Sequence, residues 1–439
     1  MRSSRYKREK VKNLMIGFAT DEITLDEFAI LEELDSNSLE YELINLNNLL
    51  LRSPNSLCES IDSDIIINRA TSSNAREVYS EFFEKVGIRV LNHFGMEQVC
   101  NSKLRTKIAL EEQGIKIVEY VLINRFPIFR PNPNKKYVLN RDVAKEVEEK
   151  ISGEFVTAVV KPTGGSRGKS ILPIRSRGDF MKECVKTYRE YGETGILRNF
   201  NLYQNVNNPY GIYAERFIPH ALDLRVPVSW RKGEVKIFDP LVRTVMSDRV
   251  VAKNTALGAL SLGVDLSQEC EKSTKNSIDA IVDFVERNGC TIEGLVCGMD
   301  IIAICEAFKE RQKVYNAVVE VAPLWEEHVF PLKRLVNKVL ERYARLVRRP
   351  RSKHDIKEVY QILKLELRMP LENMDQGYEK LKLSKEYENL QNVVAEHLEK
   401  CLLLPNELNL RPDFRYNTHN LAMAEFPSSY VEMTRRMSS

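Results

Sequence analysis

A lysine and a glycine-rich loop in the first half of the chain could bind a polyphosphate. The segment VVKPTGGSRGKSI reads as an apolar strand that delivers Lys161, followed by a loop. The loop residues are Gly164, Gly165, Ser166, Arg167 and Gly168. Glycines let backbone N–H groups approach an anion, and a lysine adds positive charge. The pattern is neither a Walker A loop nor a dinucleotide-binding fingerprint. Taken alone it is also typical of a plain hairpin, so a phosphate site needs further residues.

Charged residues in YAERFIPHALDLRVPV are a second candidate set. Residues 215–218 could line a flat pocket with their backbone groups. Asp223 and Arg225 are two residues apart on a predicted strand, so their side chains share a face. An ordinary amphipathic strand with surface charges explains these residues equally well.

Two carboxylates lie within or just after apolar segments that we predict to be strands. Asp300 lies in LVCGMDIIAI, and Glu320 lies in VYNAVVEVAP. A carboxylate in an apolar strand is costly unless it is paired or bound to a metal. If the two strands are neighbours, the pair predicts a magnesium site. Structural carboxylates held in salt bridges are the alternative.

The elements that must position these residues form a regular series. Over roughly 1–100, short apolar runs alternate with amphipathic helical patterns, which predicts a small α/β domain with a parallel sheet. NSKLRTKIALEEQG then predicts a helix capped by Asn101 or Ser102 and ended by Gly114. The middle third predicts a largely antiparallel sheet. From about Leu332 the pattern is helical and charged.

Composition restricts the class of protein. With 439 residues, 43% hydrophobic and 29% charged, the chain predicts a soluble protein of two or three packed units. We see no apolar run of bilayer length and no signal peptide, so we expect a cytoplasmic location and no membrane partner. Eight cysteines and six histidines show no zinc spacing. A net charge of +3 does not favour nucleic-acid binding. The basic segment 333–353 is either a solvated helix face or a site for an acidic partner.

In order and spacing, these segments resemble the ATP-grasp fold, and most closely the RimK and LysX branch of carboxylate–amine ligases, over roughly residues 13–330. The resemblance implies an α/β (α+β) fold with an N-terminal Rossmann-like pre-ATP-grasp domain. It implies that Lys103 is the first ATP-binding lysine, that Lys161 and the loop 164–168 cover the phosphates, and that Asp300 and Glu320 hold the metal. Adenine would lie against Glu215, Arg216, Phe217 and Ile218. Asp223 would meet the ribose, with Lys253 also at the nucleotide, and Arg225, Arg243 and Asn254 would be catalytic.

The resemblance also implies a domain division and a reaction. We expect a pre-ATP-grasp domain at 1–100, a small ATP-grasp subdomain at 101–205, a large one at 206–345 and a helical extension at 346–439. The implied cofactors are ATP and one or two Mg²⁺ ions, with Mn²⁺ as a substitute. The implied substrates are a small carboxylate and an amine, or the terminus of a peptide or carrier protein, and a homo-oligomer is possible.

One departure concerns the family's final metal motif, E-x-N. The corresponding residues are taken to be Glu320, Val321 and Ala322, and alanine cannot ligate a metal. Either one magnesium is held less fully, or Glu326 or Glu327 substitutes. The alternatives to a RimK-like or LysX-like ligase are a nucleotide-binding protein without efficient turnover and a glutathione-synthetase-like peptide ligase.

Overall fold

The computed structural model describes most of the chain. The described residues are 14–49, 61–123, 129–132, 135–163, 171–182, 184–185, 212–246, 260–347, 355–412 and 425–438. Part of the sequence-predicted site lies outside them. These residues are Gly164, Gly165, Ser166, Arg167, Gly168, Lys253 and Asn254.

The N-terminal unit is a parallel sheet flanked by helices, as the alternating pattern predicts. Its sheet has the order β2-β1-β3-β4 and all its pairs are parallel. The strands are β1 (Ile16–Thr20), β2 (Tyr41–Asn45), β3 (Ile65–Asn68) and β4 (Arg89–Leu91), and the helices are α1 (Leu25–Ser36), α2 (Leu46–Leu49), α3 (Ser73–Lys85) and α4 (Phe94–Cys100). Thr24 and Glu27 form a capping box that starts α1.

The second unit is a small antiparallel sheet of order β5-β10-β8-β9 with an adjacent hairpin, β6–β7. Its elements are α5 (Lys103–Glu112), β5 (Tyr120–Ile123), β6 (Phe129–Asn132), β7 (Lys135–Leu139), α6 (Arg141–Glu154), β8 (Ala158–Pro162), β9 (Leu172–Ile174) and β10 (Ile212–Arg216). Ser102 is the N-cap of α5, and Gly114 follows its end with φ of +70°. A positive φ is readily adopted by glycine, which is why the helix ends there.

The third unit is a six-stranded antiparallel sheet of order β14-β13-β11-β15-β16, with β12 paired to β11. Its strands are β11 (Leu222–Arg231), β12 (Glu234–Ile237), β13 (Leu241–Thr244), β14 (Leu260–Gly263), β15 (Leu295–Ile304) and β16 (Leu402–Asn409), and α7 (Gln268–Arg287) precedes β15. The predicted antiparallel character of the middle third is therefore correct.

Four helices of the described residues lie between β15 and β16 in the chain. They are α8 (Phe308–His328), α9 (Phe330–Val347), α10 (Ile356–Lys382) and α11 (Lys385–Leu398). The predicted strand around VYNAVVEV is wrong, because these residues belong to α8. Val314, Val318, Val321 and Trp325 are buried at helical rather than alternating spacing. The prediction that 346–439 is only a helical extension is also wrong, since it contains β16.

The C-terminal helix α12 (Phe426–Ser438) packs between the N-terminal unit and the large sheet. It contacts α1 and β3 on one side and β11 and β15 on the other. A Cβ atom on Gly294 would lie 2.5 Å from the sulfur of Met433, so glycine permits this close packing. One hydrophobic cluster contains residues of the parallel sheet, the large sheet, the inserted helices and α12. Among the described residues, no helix combines the length and apolarity needed to span a bilayer.

Candidate functional site

Two lysines one helical turn apart on α5 reach two different carboxylates. The Lys103 ammonium pairs with Glu407 of β16, and its backbone N–H donates to the Thr163 carbonyl at 2.7 Å. Lys107 Nζ lies 2.9 Å from Glu215 Oε1 and is fully buried. This ion pair leaves both atoms without an aligned hydrogen bond among the described residues. Helix α5 therefore links the small sheet to the last strand of the large sheet.

Glu215 is the carboxylate shared by Lys107 and Lys161. In the β8–β10 pair, Val159 lies opposite Glu215 and Lys161 lies opposite Tyr213, so Lys161 and Glu215 are diagonal neighbours on one face. Burial alone would raise the pKa of Glu215, but the two lysines outweigh it and lower the pKa to about 2. Burial likewise opposes the charge of Lys161, yet Glu215 raises the pKa of this lysine. Both groups are therefore charged at neutral pH.

The segment expected to hold adenine continues from β10. Arg216 is exposed and pairs with Glu119 at 3.3 Å, and the Phe217 N–H donates to the Thr157 carbonyl at 3.0 Å. The Ile218 carbonyl lies 2.7 Å from His220 Nδ1. The side chains of Phe217 and Ile218 are half-buried. The segment thus borders the small sheet close to Glu215, as its place in the sequence predicts.

Asp300 is held by two arginines of the large sheet. It lies directly opposite Arg225, whose Nε and Nη2 donate to its two oxygens at 2.7 and 2.9 Å. Arg243 Nη2 is 3.3 Å from Asp300 Oδ2. Burial would raise the pKa of Asp300, but Arg225 and Arg243 lower it. The buried Nε of Arg243 has no hydrogen-bond partner in the described part of the chain.

Asp223 lies on the same strand as Arg225, two residues earlier. Its Oδ1 is 2.8 Å from His220 Nε2, and its backbone pairs with that of Arg243. Its charge contributes to the electrostatic environment of both Lys161 and Asp300. The sequence-predicted residues of the small sheet and of the large sheet therefore meet at one place.

Glu320 and Ala322 do not belong to this cluster. Glu320 is exposed on α8, where its carboxylate accepts a 3.3 Å hydrogen bond from Asn389 of α11. Ala322 is buried within the same helix. The prediction that Glu320 is a metal ligand is therefore wrong. Residues 320–322 lie in a helix and do not correspond to the E-x-N motif.

The missed residue is Glu407, which lies directly opposite Asp300 in the β15–β16 pair. With Leu408 and Asn409 it forms the sequence E-L-N at the end of β16. This signal was present in the sequence, but the four intervening helices place it outside the expected spacing. Arg411, just beyond it, donates through Nε and Nη2 to Glu27 of α1 at 3.2 and 2.9 Å. The end of β16 is thereby fixed to the N-terminal unit.

Asp300, Glu407 and Asn409 fit the oxygen chemistry of a magnesium site. Two carboxylates from opposed strand positions and an amide oxygen are ligands that this hard cation accepts, and phosphate oxygens and water complete its shell. The Asn409 Oδ1 accepts a 3.0 Å hydrogen bond from the Arg411 N–H, which orients the amide. Within the described ranges, no group of three or more His, Cys, Asp or Glu side chains could hold a metal by itself.

The comparisons with known proteins concern the N-terminal unit and the overall fold. Residues 16–99 match the family model described as LysX preATP-grasp domain. This match confirms, over the residues it covers, the resemblance and the N-terminal domain that the sequence predicts. No curated protein matches the chain in sequence.

Several solved structures are similar at low identity. D-cycloserine synthetase DcsG is 13% identical, with 66% of this chain and 88% of that one covered and a TM-score of 0.45. D-alanine–D-alanine ligase from Bacillus anthracis is 14% identical, with 66% and 83% covered and a TM-score of 0.41. Carboxyaminoimidazole ribonucleotide synthase from Aspergillus clavatus, complexed with ATP, is 13% identical, with 66% and 67% covered and a TM-score of 0.42.

Proposed function

We propose that this protein, whose residues 16–99 match the family model described as LysX preATP-grasp domain, is an ATP-dependent ligase that joins a carboxylate to an amine. The observation that carries the proposal is the convergence of cations and carboxylates from separate elements on one site. The cations are Lys103, Lys107, Lys161, Arg225 and Arg243, and the carboxylates are Glu215, Asp300 and Glu407. Buried charges on this scale are expensive for stability alone, which favours a role in binding a charged ligand.

The expected nucleotide ligands are the residues of the small sheet and α5. Lys161 and Lys103 supply positive charge to phosphate oxygens, and the loop 164–168, predicted from the sequence, would cover them. Glu215 and the segment 216–218 would hold the base, with Asp223 at the ribose. Lys253 stays a predicted nucleotide ligand and Asn254 a predicted catalytic residue.

The reaction that suits this site is activation of a carboxylate as an acyl phosphate, followed by attack of an amine. Arg225 and Arg243 are fixed by Asp300 before any ligand binds, so their cationic groups need little reorganisation to stabilise charge on the transferring phosphoryl group. The Nε–H of Arg243, which has no hydrogen-bond partner among the described residues, is a donor for that purpose. Bound at Asp300, Glu407 and Asn409, magnesium would neutralise charge on the phosphate oxygens.

The E-L-N sequence at 407–409 favours an enzyme over a nucleotide-binding protein without turnover. The main support for the latter was Ala322, which lies in α8 away from the cluster of charges. The oxygen ligands that Asp300, Glu407 and Asn409 offer on β15 and β16 support a working metal site instead. The identities of the donor carboxylate and the acceptor amine stay open. They are either small molecules, as for a glutathione-synthetase-like ligase, or the terminus of a peptide or carrier protein.

The test is release of ADP from ATP and Mg²⁺ by the purified protein, measured with single amino acids, pairs of amino acids and carrier peptides. We expect release to depend on both a carboxylate and an amine, with an amide product detected by mass spectrometry. Nucleotide binding without ADP release under every substrate combination would favour the nucleotide-binding alternative. No nucleotide binding would contradict the site assignment itself.

A further inference from the structure

Each carboxylate expected to bind the metal is already paired with a cation of the protein. The Glu407 carboxylate is paired with the Lys103 ammonium, and both Asp300 oxygens accept from the Arg225 guanidinium. Lys103 and Arg225 are also residues expected to contact the nucleotide phosphates. The same cations therefore face two competing sets of anions, the protein carboxylates and the triphosphate.

The charges of the cluster do not cancel. Among the described residues, five cationic side chains face the three carboxylates Glu215, Asp300 and Glu407. Cations remain in excess when Asp223 is counted as a fourth carboxylate. A lone divalent cation would enter a site that is net positive and whose ligands are engaged, whereas a polyanion would be attracted to it.

We infer that Lys103 excludes divalent metal from Glu407 until a nucleotide triphosphate draws this lysine away, so that the metal site is completed only by the nucleotide. This inference rests on the proposed function. Every charge keeps a partner in this exchange. The lysine moves from a carboxylate to a phosphate, and the carboxylate binds a metal ion in place of the ammonium. Asp300 differs from Glu407, since two arginines hold it and the loss of one contact leaves the other in place.

The geometry explains why Lys103 rather than Lys107 has this role. Lys107 is fully buried and faces Glu215, which is itself shared with Lys161. Lys103 lies at the first turn of α5, its side chain is 19% exposed, and its pair with Glu407 joins α5 to β16. A partly exposed lysine at a helix start can change partners with a rotation of its side chain, without moving the helix.

The test measures Mn²⁺ binding by the loss of the free-ion electron paramagnetic resonance signal, in the absence of nucleotide. We expect wild-type protein to bind Mn²⁺ weakly and Lys103→Gln to bind it about tenfold tighter or more, because the competing ammonium is gone. Lys103→Arg keeps the charge and should resemble wild type. Lys116→Gln, at an exposed position beyond the end of α5, is the matched control and should also resemble wild type.

A double variant, Lys103→Gln with Glu407→Gln, should lose the tighter Mn²⁺ binding of Lys103→Gln. This result would assign the tighter binding to Glu407 rather than to a general change of charge. Equal Mn²⁺ affinity of wild type and Lys103→Gln would overturn the inference, provided that both unfold at the same temperature. Binding of a non-hydrolysable ATP analogue with Mg²⁺ to wild type is measured separately by calorimetry. Its absence would overturn the proposed function, whatever the manganese result.

Discussion

Asp300 on β15 and Glu407 on β16 lie directly opposite each other on antiparallel strands, although the helices α8–α11 lie between them in the chain. Directly opposed residues have Cβ atoms about 5 Å apart, so two carboxylates placed this way can share one cation. In the structure, Arg225, Arg243 and Lys103 provide the opposing charge. The relationship places β16, and not α8, beside Asp300, which supports β16 as the second element of the proposed metal site.

Glu407→Gln should therefore impair ligase turnover strongly, whereas Glu320→Gln should not. The first substitution removes an anionic oxygen from the metal site, and we expect a loss of about a hundredfold or more in turnover at saturating Mg²⁺. The second alters an exposed side chain on α8. Magnesium-dependent release of ADP measures both. Similar losses for the two variants, with both still folded, would contradict the assignment of Glu407.

Lys161→Ala should weaken nucleotide binding by about tenfold to a hundredfold, because a charge-assisted hydrogen bond to phosphate is lost. Lys107 still faces Glu215 in this variant, so the buried carboxylate keeps one cation and the fold should persist. Calorimetric titration with an ATP analogue measures the affinity, and thermal unfolding monitors the fold. Unchanged affinity would remove Lys161 from the site.

Two helical glycines should respond oppositely to alanine. At Gly377 in α10, a Cβ atom would lie 2.3 Å from the His328 carbonyl oxygen, so Gly377→Ala must push two helices apart. At Gly153 in α6, a Cβ atom meets no atom of the described residues within 4 Å. Gly153→Ala should raise the unfolding free energy by about 0.5–1 kcal/mol through helix propensity, and Gly377→Ala should lower it by about 1–3 kcal/mol. Urea unfolding measures both, and stabilisation by Gly377→Ala would show that α8 and α10 are packed differently.

His397 should make the protein less stable as pH falls below about 6.5. The ring is buried in α11, both its nitrogens lack a hydrogen-bond partner in the described residues, and burial lowers its pKa to about 4. Between these two values the unfolded chain binds a proton that the folded chain does not, so the free energy of unfolding decreases with falling pH.

His397→Leu removes the group that binds this proton. The free energy of unfolding should therefore depend less on pH over that range. Unfolding free energies of the two proteins at pH 7.5 and pH 5 test this, since titrations elsewhere contribute equally to both. Parallel pH profiles would mean that His397 accepts its proton in the folded state at its ordinary pKa.

Much of the fold follows from local patterns. Alternating apolar runs and amphipathic helices predict the parallel N-terminal sheet, and Ser102 and Gly114 mark the ends of α5 because capping and a positive φ are local requirements. Lys161 and Glu215 could be named because each lies on a strand with a clear apolar pattern. Arg225 and Asp300 could be named for the same reason.

Only the tertiary structure showed that Glu407, and not Glu320, lies opposite or near Asp300. VYNAVVEV contains enough β-branched residues to suggest a strand, but burial of residues four and three apart makes it a helix. Glu407 could not be paired with Asp300 from spacing, because the helices α8–α11 form a long insertion between two strands that nevertheless pair over seven positions. Strand pairing depends on contacts between distant residues. The pattern of a single sequence indicates where a strand lies, but not which other strand it pairs with.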